Sequence, residues 1–137
     1  DPNLAAGQGL LVDQSPAEPG WTTFRWFHQY PIAPYLVSVA ASNYVLWEET
    51  CETTHGTSVP IMNFVYPYDL ERSQTDLGRT CEMMQICEDH FGVYPFADEK
   101  YGHAEFDWGG AMEHKTCTSQ GSSFFDGFGL AWNIVMH

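Results

Sequence analysis

The stretch Trp108-Gly109-Gly110-Ala111-Met112-Glu113-His114 is the most informative part of this 137-residue chain. The residues that lead into it, 101–108, alternate well enough to predict a strand. After it, Ser119-Gln120-Gly121-Ser122-Ser123 predicts a loop, and 124–137 predicts a helix centred on 130–136. The quoted stretch therefore lies between a predicted strand and a predicted helix.

The residues before this stretch predict a β-rich region that gives way to a helix. Alternating or compact apolar runs predict strands at 10–12, 22–28, 35–40, 44–50 and 58–66. The run at 35–40 is strongly apolar, and we expect it to be more buried than the run at 22–28. Thr54-His55-Gly56-Thr57 predicts the turn between the last two strands.

One long helix is predicted over 70–91. Asp69 can cap its N-terminus, and Gly92 can end it in a left-handed conformation. Apolar residues recur along it at near-heptad spacing, which predicts an amphipathic helix packed on a core. The predicted apolar face comprises Leu70, Leu77, Cys81, Met84 and Glu88, widened by Ile86 and Phe91.

Composition limits the partners of the chain. Hydrophobic residues at 44% indicate a globular protein, and 18 acidic against 5 basic side chains give a formal net charge of −13. Such a field repels phosphate backbones and anionic lipid headgroups, so nucleic acid is not an expected partner. The acidic residues are spread along the chain, and we expect them to form a solvated surface.

The four cysteines show no Cys-x-x-Cys spacing for zinc or redox chemistry. Cys81 and Cys87 are six residues apart on the predicted helix, about 240° round its axis, so they should not bridge each other. Disulfides between different elements and free buried thiols both remain open for Cys51, Cys81, Cys87 and Cys117.

Several stretches together carry a resemblance to a known family. In chain order they resemble the aminopeptidase N family of zinc metallopeptidases, the gluzincins, over nearly the whole chain. They are Phe24-Arg25-Trp26 with the Pro- and Tyr-containing stretch 30–38, Tyr66-Pro67 with the long helix, Phe91-Gly92-Val93-Tyr94-Pro95-Phe96, Lys100-Tyr101-Gly102-His103, and Gly109-Gly110-Ala111-Met112-Glu113.

The resemblance implies an α+β fold in two parts. Residues 1–45 would be the C-terminal, antiparallel strands of a β-saddle-type N-terminal domain. Residues 46–137 would be the first part of a thermolysin-like α/β catalytic domain, truncated at the metal helix.

The resemblance also implies a substrate-binding strand. In that family the Gly-Ala-Met-Glu strand borders the substrate cleft, so substrate binding falls on Gly110, Ala111, Met112 and Glu113. Gly110 and Ala111 would offer backbone groups, and Glu113 would accept hydrogen bonds from the free α-ammonium group of a peptide. Such a carboxylate selects chain ends because an N-acylated peptide cannot form the charged pair. From the residues alone, Glu113 is one more exposed acid among the eighteen, and only the resemblance favours the substrate-binding role.

The implied cofactor is zinc in the intact parent protein. His137 matches the first zinc ligand of the family, because the apolar run Ile134-Val135-Met136 precedes it as similar residues precede the metal motif. A catalytic zinc needs three protein ligands. The others would follow residue 137, so we expect no zinc on this chain alone. His114 stands where many relatives have Asn, and a His114–Cys117 metal pair lacks a second pair at ligand spacing.

The leading prediction is a fragment of an exported zinc aminopeptidase that hydrolyses N-terminal residues from peptides. Its partners would be a peptide with a free N-terminus and the remainder of the polypeptide, and its location secreted, periplasmic or cell-envelope. The alternative is a non-catalytic structural or binding subunit derived from the same scaffold, part of a larger assembly. Apolar side chains such as Leu130, Trp132 and Val135 would then contact a partner.

Overall fold

The computed structural model describes residues 3–135, except for the side chains of Asn133 and Ile134. It contains nine strands and three α-helices within that range, with short 3-10 helices at Pro34–Leu36, Pro67–Asp69 and Ser122–Phe124. In chain order the elements are β1 (Leu4–Gly7), β2 (Leu10–Pro16), β3 (Thr22–Phe27), β4 (Val39–Ser42), β5 (Val45–Glu52), β6 (Ser58–Val65), α1 (Leu70–Leu77), α2 (Thr80–Phe91), β7 (Tyr101–Phe106), β8 (Ala111–Met112), β9 (Thr118–Gly121) and α3 (Trp132–Val135).

The strands form three sheets, and the fold is α+β. β1 pairs with β4 and β2 with β3, both antiparallel. The remaining five strands form a mixed sheet in the order β5-β6-β7-β9-β8. Within it β6, β7 and β9 are parallel, whereas β5 and β8 are antiparallel to their neighbours. No helix among residues 3–135 has the length and apolar character needed to cross a membrane.

The five-stranded sheet lies between two layers. On one face Phe64 and Ala104 pack with Ala6 of β1 and with Trp26 of β3, whose ring is 6.1 Å from that of Phe64. On the other face Val65 packs with residues of α1, α3 and the segment between β9 and α3. Because successive side chains of a strand point to opposite faces of the sheet, each strand residue faces one of the two layers.

The hairpin of β5 and β6 confirms the turn predicted at 54–57. Thr53 and Thr57 close it with a backbone hydrogen bond of 2.9 Å, and Gly56 has a φ of 81°. Glycine adopts that conformation without steric cost.

The single helix predicted over 70–91 is wrong, because the chain breaks it into α1 and α2 around Gly78. The Gly78 N–H still donates to the Gln74 carbonyl, as in a helix. The Leu77 carbonyl, however, accepts a hydrogen bond from the Thr80 hydroxyl, and the helical backbone hydrogen bonds of α1 end there. Because of the break, α2 turns a different face to the core from the one predicted for a single helix. Ile86 and Phe91 are therefore exposed, and Phe91 has an exposed fraction of 88%. Gly92 ends α2 with a φ of 91°, as predicted.

Asp69 precedes α1, but its side chain does not cap the helix. The carboxylate is buried instead, and the Arg72 guanidinium approaches it at 3.4 Å.

The strand predicted at 35–40 is wrong for 35–38. Pro34 begins a 3-10 helix there, and β4 starts only at Val39. Tyr35, Val37 and Val39 are exposed rather than buried. Proline lacks a backbone donor and restricts the preceding residue, which disfavours an early sheet ladder.

The loop predicted at 119–123 is largely a strand. β9 is composed of Thr, Ser, Gln and Gly, a composition that does not indicate a strand, yet all four residues are buried. Gly121 allows the close approach of its neighbours, because a Cβ atom there would lie 2.2 Å from the Trp108 carbonyl oxygen. Tertiary pairing on both edges has overridden local propensity.

The helix predicted over 124–137 begins later than expected. Gly127 and Gly129 adopt φ values of 78° and 94°, and their N–H groups donate to the buried Asp76 carboxylate at 2.9 and 2.7 Å. α3 then spans Trp132–Val135, and Met136 and His137 lie outside the described residues.

The expectation that the acidic residues form a solvated surface is wrong for five of them. Backbone amides or other polar groups contact their carboxylates and compensate for the loss of hydration. Although burial opposes it, hydrogen bonds from Tyr94 and Thr54 lower the pKa of Glu88. The buried acids are Asp69, Asp76, Glu88, Glu99 and Glu105.

Glu105 lies on β7 and is fully buried. The Tyr66 N–H donates to one of its carboxylate oxygens at 2.7 Å, and the other oxygen has no partner among residues 3–135. Burial, together with the neighbouring Asp69 carboxyl, raises the pKa of Glu105 to about 7.

We expect Glu105 to make the stability of the protein depend on pH. The unfolded carboxyl has a pKa near 4.5, so between this pH and about 7 the folded state holds a proton that the unfolded state has lost. Stability should therefore fall as the pH rises through that window and level off above it. In thermal scans, Glu105→Gln should flatten this fall in Tm, whereas Glu18→Gln in the exposed β2–β3 turn should retain it. Identical profiles for Glu105→Gln and wild type would contradict the assignment.

A disulfide joins Cys51 of β5 to Cys81 of α2, with Cα atoms 5.0 Å apart. Cys87 and Cys117 are free thiols, and Cys81 and Cys87 do not bridge each other, as predicted. Cys51 is fully buried among Val59, Ile61 and Met84, so the bridge ties the sheet to the helical layer inside the core.

Replacing both Cys51 and Cys81 by Ala is expected to lower the free energy of unfolding by about 3–4 kcal/mol. The bridge spans a sequence separation of 30 residues, and opening a loop of that size increases the entropy of the unfolded chain. The measurement is the Tm without reductant, with Cys87→Ala as a control that removes a free thiol. A double variant as stable as Cys87→Ala would contradict the prediction.

Candidate functional site

The four predicted substrate-binding residues lie together at one edge of the five-stranded sheet. Within residues 3–135, β8 pairs only with β9, Ala111 opposite Gln120 and Met112 opposite Ser119. The Gly121 N–H donates to the Gly110 carbonyl at 2.8 Å, so that carbonyl points toward β9. Because backbone groups alternate in direction along an antiparallel strand, the N–H and carbonyl of Ala111 point to the outer edge.

The Glu113 side chain follows directly after β8 and is exposed. It forms no hydrogen bond or ion pair with any residue in the described range 3–135. Its carboxylate is therefore available to a ligand that binds along the outer edge of β8.

A groove of about 460 Å³ runs beside β8, a volume in the range of small-molecule sites. We call it the β8 groove. Its walls are formed by the rings of Tyr94, Phe96 and Tyr101, the strand itself, Glu113 and Lys115, with Val135 of α3 at one side. The Lys115 ammonium donates to the Pro31 carbonyl at 2.5 Å and lies 5.6 Å from the centre of the Phe96 ring.

His114 borders a second groove, of about 540 Å³, on the opposite face of the sheet. Its Nδ1 lies 2.9 Å from the Ser119 hydroxyl, and burial lowers the pKa of the ring. His114 is therefore a neutral hydrogen-bonding group near pH 7. Met112 and His114 line both grooves, whereas Glu113 lines the β8 groove.

The turn from Glu113 to β9 contains two contacts that sequence reasoning missed. Thr116 has a φ of 61°, the one positive φ of a non-glycine residue within 3–135. Its carbonyl accepts a hydrogen bond from the buried Lys100 ammonium at 2.6 Å, and its hydroxyl accepts one from the Gly9 N–H at 2.8 Å. No local pattern in the sequence distinguishes Thr116 or Lys100, because both contacts span more than ten residues.

A row of buried polar side chains on the helical face of the sheet was also missed. Asn63 and His103 are directly opposite each other, and the His103 Nδ1 lies 2.8 Å from the Asn63 amide oxygen. Burial, with Lys100 nearby, lowers the pKa of His103 to about 3, so its ring is neutral. Alternation of polar residues within these strands was the available signal.

The described residues do not by themselves form a metal centre. Within 3–135 there is no group of three or more His, Cys, Asp or Glu side chains placed to hold an ion. His137, the predicted first zinc ligand, lies outside the described residues. Cys117 is buried in the core with Phe64 and Ala104, away from the open grooves.

The fold is similar to that of a solved aminopeptidase. The crystal structure of Legionella pneumophila aminopeptidase A in complex with aspartic acid superimposes with a TM-score of 0.75, over 85% of this chain and at 20% sequence identity. The chain therefore has an aminopeptidase-like fold. The match spans 14% of the Legionella chain, about one seventh of its length.

Sequence comparison adds nothing to this structural similarity. No protein-family model matches the chain, and no curated protein matches it. The aminopeptidase-like fold and the α+β class are confirmed, whereas the zinc site and the roles of individual residues stay predictions.

Proposed function

We propose that this chain is part of a zinc-dependent aminopeptidase of the aminopeptidase N type, which hydrolyses N-terminal residues from peptides. The observation that carries the proposal is the free carboxylate of Glu113, exposed at the end of an edge strand and beside the β8 groove. The aminopeptidase-like fold supports it, because the segment that resembles the family's substrate-binding strand is an edge strand in this structure.

A peptide would bind by extending the sheet. The outward N–H and carbonyl of Ala111 offer a pair of hydrogen bonds to an extended main chain, as in other cases of strand addition. The chain then places its first residue near Glu113, where the α-ammonium group forms a charge-assisted pair with the carboxylate. An acylated N-terminus has no such charge, so this arrangement favours free chain ends.

The aspartic acid bound to the Legionella relative carries the same α-ammonium group. That complex supports amino-acid recognition by this scaffold. The aromatic walls of the β8 groove would surround the side chain of the first residue, because they lie on the same side of the strand as Glu113.

Zinc belongs to the proposal for the intact protein only. The described residues supply no complete ligand set, so we derive no chemical step through a metal from them. His137 would be the first ligand, with the remaining ligands beyond it, and the ion would supply a polarised water for hydrolysis. This chain contributes the binding and orientation of the substrate.

The domain layout and the location are part of the same proposal. Residues 1–45 would end a β-saddle-type domain and 46–137 would begin a thermolysin-like catalytic domain. Export to the periplasm, cell envelope or exterior is supported by the Cys51–Cys81 disulfide, because such bonds persist in oxidising compartments.

In the full-length protein, Glu113→Gln is expected to lower kcat/KM on aminoacyl substrates by about 10- to 100-fold. The amide keeps the shape of the carboxylate but loses the charge that pairs with the ammonium group, and hydrogen bonds to charged groups contribute about 1.5–3 kcal/mol. Steady-state kinetics with an aminoacyl anilide measure the effect.

The matched control is Glu18→Gln, which changes an exposed glutamate in the β2–β3 turn away from the β8 groove. It should leave kcat/KM unchanged. If Glu113→Gln behaves like this control in an active protein, the role of Glu113 is refuted. If the full-length protein neither cleaves aminoacyl substrates nor binds amino acids, the alternative of a non-catalytic subunit is favoured.

A further inference from the structure

The turn that carries Glu113 is held in an unfavourable backbone conformation. Thr116 is β-branched, and a φ of 61° places its Cβ close to its own backbone. Such a conformation persists only where surrounding contacts hold it, and it concentrates at functional sites. The turn joins Glu113 to β9, so its geometry sets the direction in which the Glu113 backbone leaves the sheet edge.

Lys100 contacts this turn from the interior of the protein. Its ammonium group donates to the Thr116 carbonyl at 2.6 Å, and the two residues are 1% and 2% exposed. The Gly9 N–H contacts the Thr116 hydroxyl from the other side. The turn is therefore tied both to the start of β7 and to the segment between β1 and β2.

A buried lysine in this position is unusual. No carboxylate within residues 3–135 lies within ion-pairing distance of Lys100, and its ammonium group lies 5.4 Å from the centre of the Trp26 ring. Lysine is almost never fully buried without a partner, because removing its charge from water is costly. Burial accordingly lowers the pKa of Lys100. An apolar side chain would fill this space at less cost, so the hydrogen bond to Thr116 is what the lysine adds.

We propose that Lys100 is a positioning residue, which holds the strained Thr116 turn and thereby keeps the Glu113 carboxylate where the substrate ammonium group binds. The inference rests on the proposed function of Glu113. Lys100 is buried and lines neither groove, so its effect on Glu113 passes through the backbone of 113–116.

The test measures recognition of the ammonium group directly. Two probes are used, an α-amino acid hydroxamate and its analogue without the amino group, and calorimetry gives the Kd of each with the full-length protein. The ratio of the two Kd values isolates the contribution of the amine, because both probes share every other group. A variant that merely loses stability does not change this ratio while it remains folded.

Lys100→Met keeps the length of the side chain and removes the donor. It should lower the amine selectivity by about 10-fold, since displacing a binding group by about 1 Å can cost up to 100-fold. Arg25→Met is the control, because Arg25 is an exposed cation on β3, and it should keep the wild-type ratio. A folded Lys100→Met protein with the wild-type ratio would overturn the proposal.

Thr116→Gly provides a second, independent readout. Glycine adopts a positive φ without strain, so the turn should need Lys100 less. The double variant Lys100→Met/Thr116→Gly should therefore lose less selectivity than the two single changes together, a coupling that a purely structural role of Lys100 does not predict.

If the single variant Lys100→Met does not fold, the double variant still tests the proposal. A folded double variant that retains most of the wild-type ratio supports the proposal. A double variant that fails to fold, or whose ratio falls as far as that of Glu113→Gln, overturns it. If Glu113→Gln itself keeps the wild-type ratio, the proposed function of Glu113 fails, whatever Lys100 does.

Discussion

The insertion of β9 between β7 and β8 is the constraint on which the rest of this structure depends. β9 pairs in parallel with β7 and antiparallel with β8, so it connects the edge strand to the body of the sheet. Gly121 permits this, because any Cβ atom there would overlap the Trp108 and Gly110 carbonyl oxygens. Without β9 the Gly110–Glu113 segment would have no ladder to hold it, and the sheet would end at β7.

Buried carboxylates accept hydrogen bonds from loop N–H groups, which in exposed loops usually bind water. Asp76 accepts hydrogen bonds from the N–H groups of Gly127 and Gly129. Glu88 accepts them from the N–H groups of Thr54 and Tyr94. Each one fixes a loop against a helix, and the donors compensate for the loss of solvation. Some of the acidic residues are thus inside the protein, so the net charge of this chain does not describe its surface alone.

The candidate site combines a free edge with a rigid base. The outer groups of Ala111 and the Glu113 carboxylate are open, whereas the turn behind them is anchored by Lys100, Gly9 and the Lys115–Pro31 contact. A binding group on a fixed support loses little entropy when a ligand arrives. The anchors come from three distant parts of the chain, so the site depends on the docking of the N-terminal strands onto the sheet.

The sequence by itself determined the elements with a local cause. Gly56 and Gly92 marked their turns because only glycine takes a positive φ without cost, and Cys81 and Cys87 were excluded as a pair by helix geometry. The resemblance at 109–113 led to the aminopeptidase-like fold and to the edge segment. The tertiary structure alone decided the strand character of 118–121, the break at Gly78 and the burial of Glu105 and Lys100. These features arise from partners that are distant in sequence, and their cost or benefit appears only when the strands pair and water is excluded.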